Sequence, residues 1–269
     1  MNKEYAALYV TADDEVAAAK RLYDIVRVLR QKCPWDKVQT HESLKTCMIE
    51  EAYEAVDAVD NDDMDNLKEE LGDVMLQVML NGVIAENNGE FTLTDIINDE
   101  CEKMIRRHPH IFSSENSKTI DKVLEKWENV KSKEHGDSKV TDRLLDVPKA
   151  LPALLRSQKV QSRASQVGFD WDSAGEAFPK IEEELGELKE ACETGDMRVI
   201  KDELGDLLFS TVNVSRLLGI NPEEALNGST TKFVDRFAFI EEKAIERKKD
   251  IKSMSLEEMN EIWEDSKRK

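Results

Sequence analysis

Four carboxylates recur in this chain at fixed spacing. Glu50-Glu51-Ala-Tyr-Glu54 precedes Glu70-Leu-Gly-Asp73, and Glu183-Glu184-Leu-Gly-Glu187 precedes Glu203-Leu-Gly-Asp206. Sixteen positions separate Glu54 from Glu70, and sixteen separate Glu187 from Glu203. Residues three apart on a helix share one face, so Glu184 projects with Glu187 and Glu203 with Asp206, as do Glu51 with Glu54 and Glu70 with Asp73. Two such helices packed antiparallel would gather each set into a cluster that cannot stay fully ionised at neutral pH without a cation. Donors that are all oxygen select a hard ion, so Mg²⁺ is expected, with Mn²⁺ as the alternative. A single E-x-x-E is ordinarily a solvated helix face. Duplication of all four acids at unchanged spacing, with apolar residues on the same turns, favours a metal site.

Cations and indoles follow each set. Lys232 and Arg236 are four apart on one helix, as are Lys103 and Arg107 in the first copy. Such a pair can clamp phosphate oxygens, the Arg bidentately and the Lys as a point charge. Trp263 is followed by Lys267, and Trp127 by Lys131; an indole beside a cation can stack on a nucleobase. Neither G-x-x-x-x-G-K-[ST] nor G-x-G-x-x-G occurs, which excludes the phosphate loop and the dinucleotide turn. His41, His108, His110 and His135 have no counterparts in the second copy, which excludes a duplicated histidine-based nucleophile.

The elements that must position these residues are helical. In 269 residues there are only 11 Gly and 6 Pro, charged residues reach 35%, and apolar residues recur at helical steps, which predicts an all-α chain. The first copy divides into helices over 13–30, 42–59, 64–86 and 94–107. Leu44, Met48, Ala52, Ala55 and Val59 are expected to face inward from the second, and Leu67, Leu71, Val74, Val78 and Met79 from the third. The second copy repeats the order with helices over 149–166, 174–192 and 197–218. Asn221-Pro222 then starts another helix and Ser255 with Glu258 a last one. Gly72 and Gly205 lie inside the acidic helices at a cost of about 1 kcal/mol each relative to Ala, which suggests a close approach there. The polar stretch at 133–147 reads as a linker between domains at 1–132 and 148–269.

A net charge of −19 and a pI near 4.7 argue against nucleic-acid polymers or anionic membranes as partners. Cys33, Cys47, Cys101 and Cys192 form no C-x-x-C pair, and neither a leader-like stretch nor a spanning apolar run is present. The expectation is a cytoplasmic protein with reduced thiols.

The paired motifs, together with Cys33-Pro-Trp-Asp36 before the first copy and Arg106-Arg-His-Pro-His-Ile-Phe112 after it, resemble the MazG family of nucleoside triphosphate pyrophosphohydrolases in its two-repeat bacterial form. The resemblance covers nearly the whole chain. It implies helical bundles assembled as a homodimer, and Mg²⁺-dependent cleavage of NTPs or dNTPs between the α- and β-phosphates to the monophosphate and pyrophosphate. By motif position, Glu184, Glu187, Glu203 and Asp206 would ligate Mg²⁺, Lys180, Lys232, Arg236 and Lys267 would contact phosphates, and Trp263 would contact the nucleotide. Glu183 or Glu184 is the candidate proton acceptor. The first copy keeps Glu51, Glu54, Glu70 and Asp73 but has Cys47 where the second has Lys180, so the second is expected to be the main site. A specialised pyrophosphatase of the dUTPase or phosphoribosyl-ATP hydrolase type, or a non-catalytic metal-binding regulator, is the alternative.

Overall fold

Several helix starts in this chain are written in side chains that satisfy the first free N–H groups. Asp14 accepts from Ala17 N–H at 2.8 Å and opens α1 (Glu15–Lys32). The computed structural model describes residues 3–112, Thr119 and 139–268, and no strand occurs among them. After α1 come the one-turn α2 (Pro34–Lys37), then α3 (Lys45–Asp60) and α4 (Met64–Asn88). Asp63 caps α4 through Asn66 N–H, and Gly89 ends it in the left-handed conformation, φ 72°. A Thr92–Asp95 capping box starts α5 (Leu93–Arg107), followed by the single turn α6 (Pro109–Phe112).

The chain divides into two units, Met1–Glu134 and His135–Lys269. In the first, α4 is the centre: α3, α1 and α5 all pack on it. Val26, Leu44, Met79, Leu80, Val83 and Ile84 form the core. Only the C-terminal half of α4 is buried there. The inward stripe expected along α3 and α4 is therefore corrected. Leu44 and Met79 are buried, but Met48, Val59, Leu71 and Val78 lie exposed. Helical spacing identifies an apolar face without saying what covers it, and among the described residues of the unit nothing covers this one.

The second unit holds α7 (Val140–Leu145), α8 (Ala153–Ser165), α9 (Ala174–Thr194), α10 (Met197–Leu217), α11 (Pro222–Glu246) and α12 (Leu256–Ser266). Asn221 caps α11 with Pro222 at its first position, and the Ser255–Glu258 box caps α12. Of the stretch expected as linker, residues 139–147 carry α7 and the buried Val147; the remainder, with Trp127, Lys131 and His135, lies outside the described residues. α9 and α10 pack along their length, joined by Gly195 in the left-handed region, while α8 packs on α10 and α11. A separate core of Ile240, Ala244, Met254 and Ile262 binds α12 to α11.

The close approach expected at the helix glycines is not made by any described residue of either unit. A Cβ built at Gly72 or Gly205 would meet no atom within 4 Å.

Candidate active site

Pairing of α9 with α10 brings Glu184, Glu187 and Glu203 together, with one oxygen from each lying within 4.8 Å of the others. Glu184 is 5% exposed, Glu203 partly buried and Glu187 open to solvent. One turn before Glu184 on α9, Lys180 Nζ lies 2.7 Å from Glu184 Oε1 and 2.8 Å from Glu183 Oε1. These two hydrogen bonds, to Glu183 and then Glu184, hold the ammonium above its ordinary range. Asp206, one turn after Glu203 on α10, lines a cavity together with Lys180 and Glu184.

The first unit repeats the acids but not the cation. Glu51, Glu70 and Asp73 gather within 4.8 Å, and Glu54 adds repulsion to both Glu51 and Glu70. Where α9 carries Lys180, α3 carries the half-buried Cys47. A neutral group, the buried Gln77 on α4, hydrogen-bonds Glu51 instead.

Desolvation between the helices, followed by repulsion from Glu184 and Glu203, pushes the Glu187 carboxyl above its usual range. Glu51 and Glu70 are raised by the same two causes. A carboxyl whose folded pKa is raised contributes stability at low pH that is lost as pH rises through the raised value. The window therefore lies above the ordinary carboxylate range. Asp95, Asp170 and Glu258 are lowered by their hydrogen-bond partners, Thr92, Arg216 and Lys249, and their contribution is lost only at more acid pH. In EDTA, the melting temperature is expected to fall as pH is raised from the ordinary carboxylate range toward neutrality. Millimolar Mg²⁺ is expected to lessen that fall by raising the value at the higher pH, which differential scanning fluorimetry measures.

The basic set lies elsewhere in the second unit. On α11 and α12, the Arg236 guanidinium sits 5.4 Å from the Trp263 ring centroid, Phe233 lies 5.3 Å from the same ring, and Lys267 pairs with Glu264 at 2.6 Å. Among the described residues no hydrogen bond or ion pair joins Lys232, Arg236, Trp263 or Lys267 to the acidic cluster. In the first unit, Lys103 pairs with Glu100. His108 Nδ1 bonds the Met104 carbonyl at 2.7 Å and so serves the end of α5.

Sequence reasoning missed a group that adjoins the acids. The loop before α9 carries Phe169, Asp170 and Trp171, and Asp170 is gripped by Arg216 of α10 through both guanidinium Nη atoms, one at 2.9 Å. That guanidinium holds the Asp170 carboxyl below its usual range. Arg216 also donates to Asn213 Oδ1 from Nε at 3.1 Å and from Nη2 at 2.7 Å. Across from them on α8, Gln161 Nε2 donates to the Phe209 carbonyl at 2.8 Å. These side chains and the acids enclose one cavity of about 360 Å³. The available signal was a Gln between Val160 and Ala164 and an Asn between Val212 and Val214: amides at positions where helical periodicity demands burial.

Comparison with known proteins adds identity to this geometry. The family model described as the MazG nucleotide pyrophosphohydrolase domain matches residues 39–112 and 174–238, the two segments that bear the acidic clusters. A Thermotoga maritima protein named nucleoside triphosphate pyrophosphohydrolase/pyrophosphatase MazG is 44% identical over 250 residues, 92% of this chain and 95% of that one. The Escherichia coli K12 nucleoside triphosphate pyrophosphohydrolase is 38% identical over 253 residues, 92% of this chain and 96% of its own. An uncharacterized Bacillus subtilis protein, YabN, is 46% identical over 247 residues, 90% of this chain but 50% of its own length.

Proposed function

Because the chain belongs to the MazG nucleotide pyrophosphohydrolase family, and is thus a hydrolase of phosphoric anhydride bonds, we propose that it cleaves nucleoside triphosphates between the α- and β-phosphates at the α9–α10 cluster with a divalent ion, Mg²⁺ or Mn²⁺. The observation that carries this reading is the convergence of Glu184, Glu187 and Glu203 within 4.8 Å beside Lys180. An all-oxygen donor set on two packed helices fits a hard cation. Asp206, on the face of Glu203, completes the set. When bound, such an ion supplies Lewis-acid neutralisation of the triphosphate and acidifies water.

The chain's own residues then do the following. Glu184, Glu187, Glu203 and Asp206 hold the ion, and Lys180, already tied to Glu183 and Glu184, anchors a phosphate oxygen. Water attacks the α-phosphorus, the bond from that phosphorus to the bridging oxygen breaks, and pyrophosphate departs. Glu183, or Glu184 through an oxygen that the ion would leave free, accepts the water's proton. No protein nucleophile is needed.

A second copy of the chain is part of this reading. Phe178, Leu185, Leu204 and Leu208 lie exposed on the helices that carry the acids, and Phe233 and Val234 on α11. Exposed apolar side chains in this number on packed helices fit an association site. A homodimer would cover it, and would supply the route by which Lys232, Arg236, Trp263 and Lys267 reach a triphosphate on the partner's acids.

The test is a panel of NTPs and dNTPs assayed with Mg²⁺ for monophosphate and pyrophosphate, on the unaltered chain and on a Glu70→Gln/Asp73→Asn double variant. The unaltered chain is expected to release pyrophosphate and monophosphate in equal amounts. The double variant is expected to keep most of that activity, because the first repeat lacks the Lys180 contact. Release of inorganic phosphate in place of pyrophosphate would overturn the reaction assignment, and loss of activity in the double variant would overturn the choice of repeat.

A further inference from the structure

The cavity beside the acids contains a polar atom that the protein does not satisfy. Gln161 is 7% exposed, and its Oε1 is buried without a hydrogen-bond partner among the described residues. An amide flip does not cure this, because Nε2 is needed by the Phe209 carbonyl. A buried acceptor left unmade is costly, and native structures rarely keep one without a ligand, a water or an ion to fill it. Asn213, 9% exposed, lines the same cavity with Oδ1 committed to Arg216, and no protein acceptor among the described residues takes its Nδ2. The cavity thus offers an N–H acceptor and an N–H donor on neighbouring helices. Beside the Asp170–Arg216 pair and Ser210, its walls are apolar and aromatic, with Val160, Ala164 and Phe209 on the helices and Phe169 and Trp171 on the loop. Its volume, about 360 Å³, falls in the range of about 300–1,000 Å³ that small-molecule sites occupy. Lys180, Glu184 and Asp206 form its remaining edge.

We propose that this cavity receives the nucleobase of the triphosphate substrate, with Gln161 Oε1 accepting a hydrogen bond from an N–H on the base's pairing edge and Asn213 Nδ2 donating to the adjacent acceptor. The proposal rests on the reading of the acids as the triphosphate site, and it adds where the base goes and what selects it. A flat π-system suits walls of Trp171, Phe169 and Phe209, and a donor next to an acceptor matches the pairing edge of each common base. Asp170 and Arg216 are positioning residues. Their pairing fixes the loop that carries the two aromatic rings, and Arg216 fixes the orientation of the Asn213 amide.

Binding to the full chain decides the matter without requiring turnover. Isothermal titration in Mn²⁺ compares the α,β-methylene analogue of ATP with that of purine riboside triphosphate, which lacks the 6-amino group. A second comparison sets the α,β-methylene analogue of UTP against its N3-methyl form. In at least one pair the N–H-bearing member is expected to bind tighter by about tenfold or more, because a site built to accept that hydrogen bond discriminates against its loss. Gln161→Met, which keeps the side-chain length and removes the acceptor, is expected to bring that ratio to within about twofold. Inorganic tripolyphosphate is expected to bind both proteins alike.

Equal affinity within both pairs, including failure to bind any analogue, overturns the proposal, as does an unchanged ratio in folded Gln161→Met. Should that variant not fold, the ratios in the unaltered chain decide alone. Pyrophosphate release without discrimination would sink this inference and leave the enzyme reading standing. Discrimination without pyrophosphate release would do the reverse.

Discussion

Glu203→Gln and Asp206→Asn are each expected to lower Mg²⁺-dependent pyrophosphate release by at least about a thousandfold while leaving helical content unchanged. The size follows from what the ion does: neutralising charge that develops on the phosphates contributes several kcal/mol, and each 1.36 kcal/mol is tenfold in rate. The fold should tolerate both changes, because Glu203 is only partly buried, Asp206 is exposed, and the acidic cluster repels itself without an ion. Both substitutions keep shape and remove charge, so circular dichroism should superimpose and the metal-free protein should melt no lower. Steady-state release on the best substrate of the panel, with the melting curve beside it, checks both halves. Full activity in both variants would remove the α9–α10 acids from the chemistry.

Leu208→Glu is expected to convert the proposed dimer to a single chain of 30.7 kDa and to abolish most activity with it. Leu208 is 50% exposed on α10. In a two-fold symmetric interface each substitution occurs twice. Losing two buried leucines, at about 2 kcal/mol each, would weaken association by about a thousandfold before the added charge is counted. Light scattering coupled to size exclusion, over a range of concentrations, reads the mass. An unaltered chain that is itself monomeric at assay concentration would remove the dimer from the account, and so would a Leu208→Glu chain that still runs at twice the single-chain mass.

Much of this architecture is legible in the sequence because its helices begin and end on chemistry that acts locally. Asp14, Asp63, Asn221 and the Ser255–Glu258 box act within three residues of where they stand, and so do the E-x-x-E and E-x-x-D pairs. Their duplication adds the one long-range fact, that α9 and α10 must pack as α3 and α4 do. Other features depend on residues far apart in the chain. Periodicity placed Met48 and Leu71 on an apolar face, but burial depends on a covering surface that the described residues of the unit do not supply. Gln161 and Asn213 line one cavity from α8 and α10, each looking alone like a polar interruption of an apolar stripe. The bond from Arg216 to Asp170 spans 46 residues, and nothing in the local pattern announces it. Lys180 stands between these cases. Its one-turn spacing from Glu184 is visible at once, whereas the burial of that glutamate comes from packing.

Gly72 and Gly205 have empty space where a side chain would begin, although each weakens its own helix by about 1 kcal/mol. No described residue of the chain uses that space. In the proposed dimer the benefit would fall to whatever backbone or ligand came to rest in the two notches, and robustness of the separate protomer would be set against tightness of assembly at the turns that carry the acids.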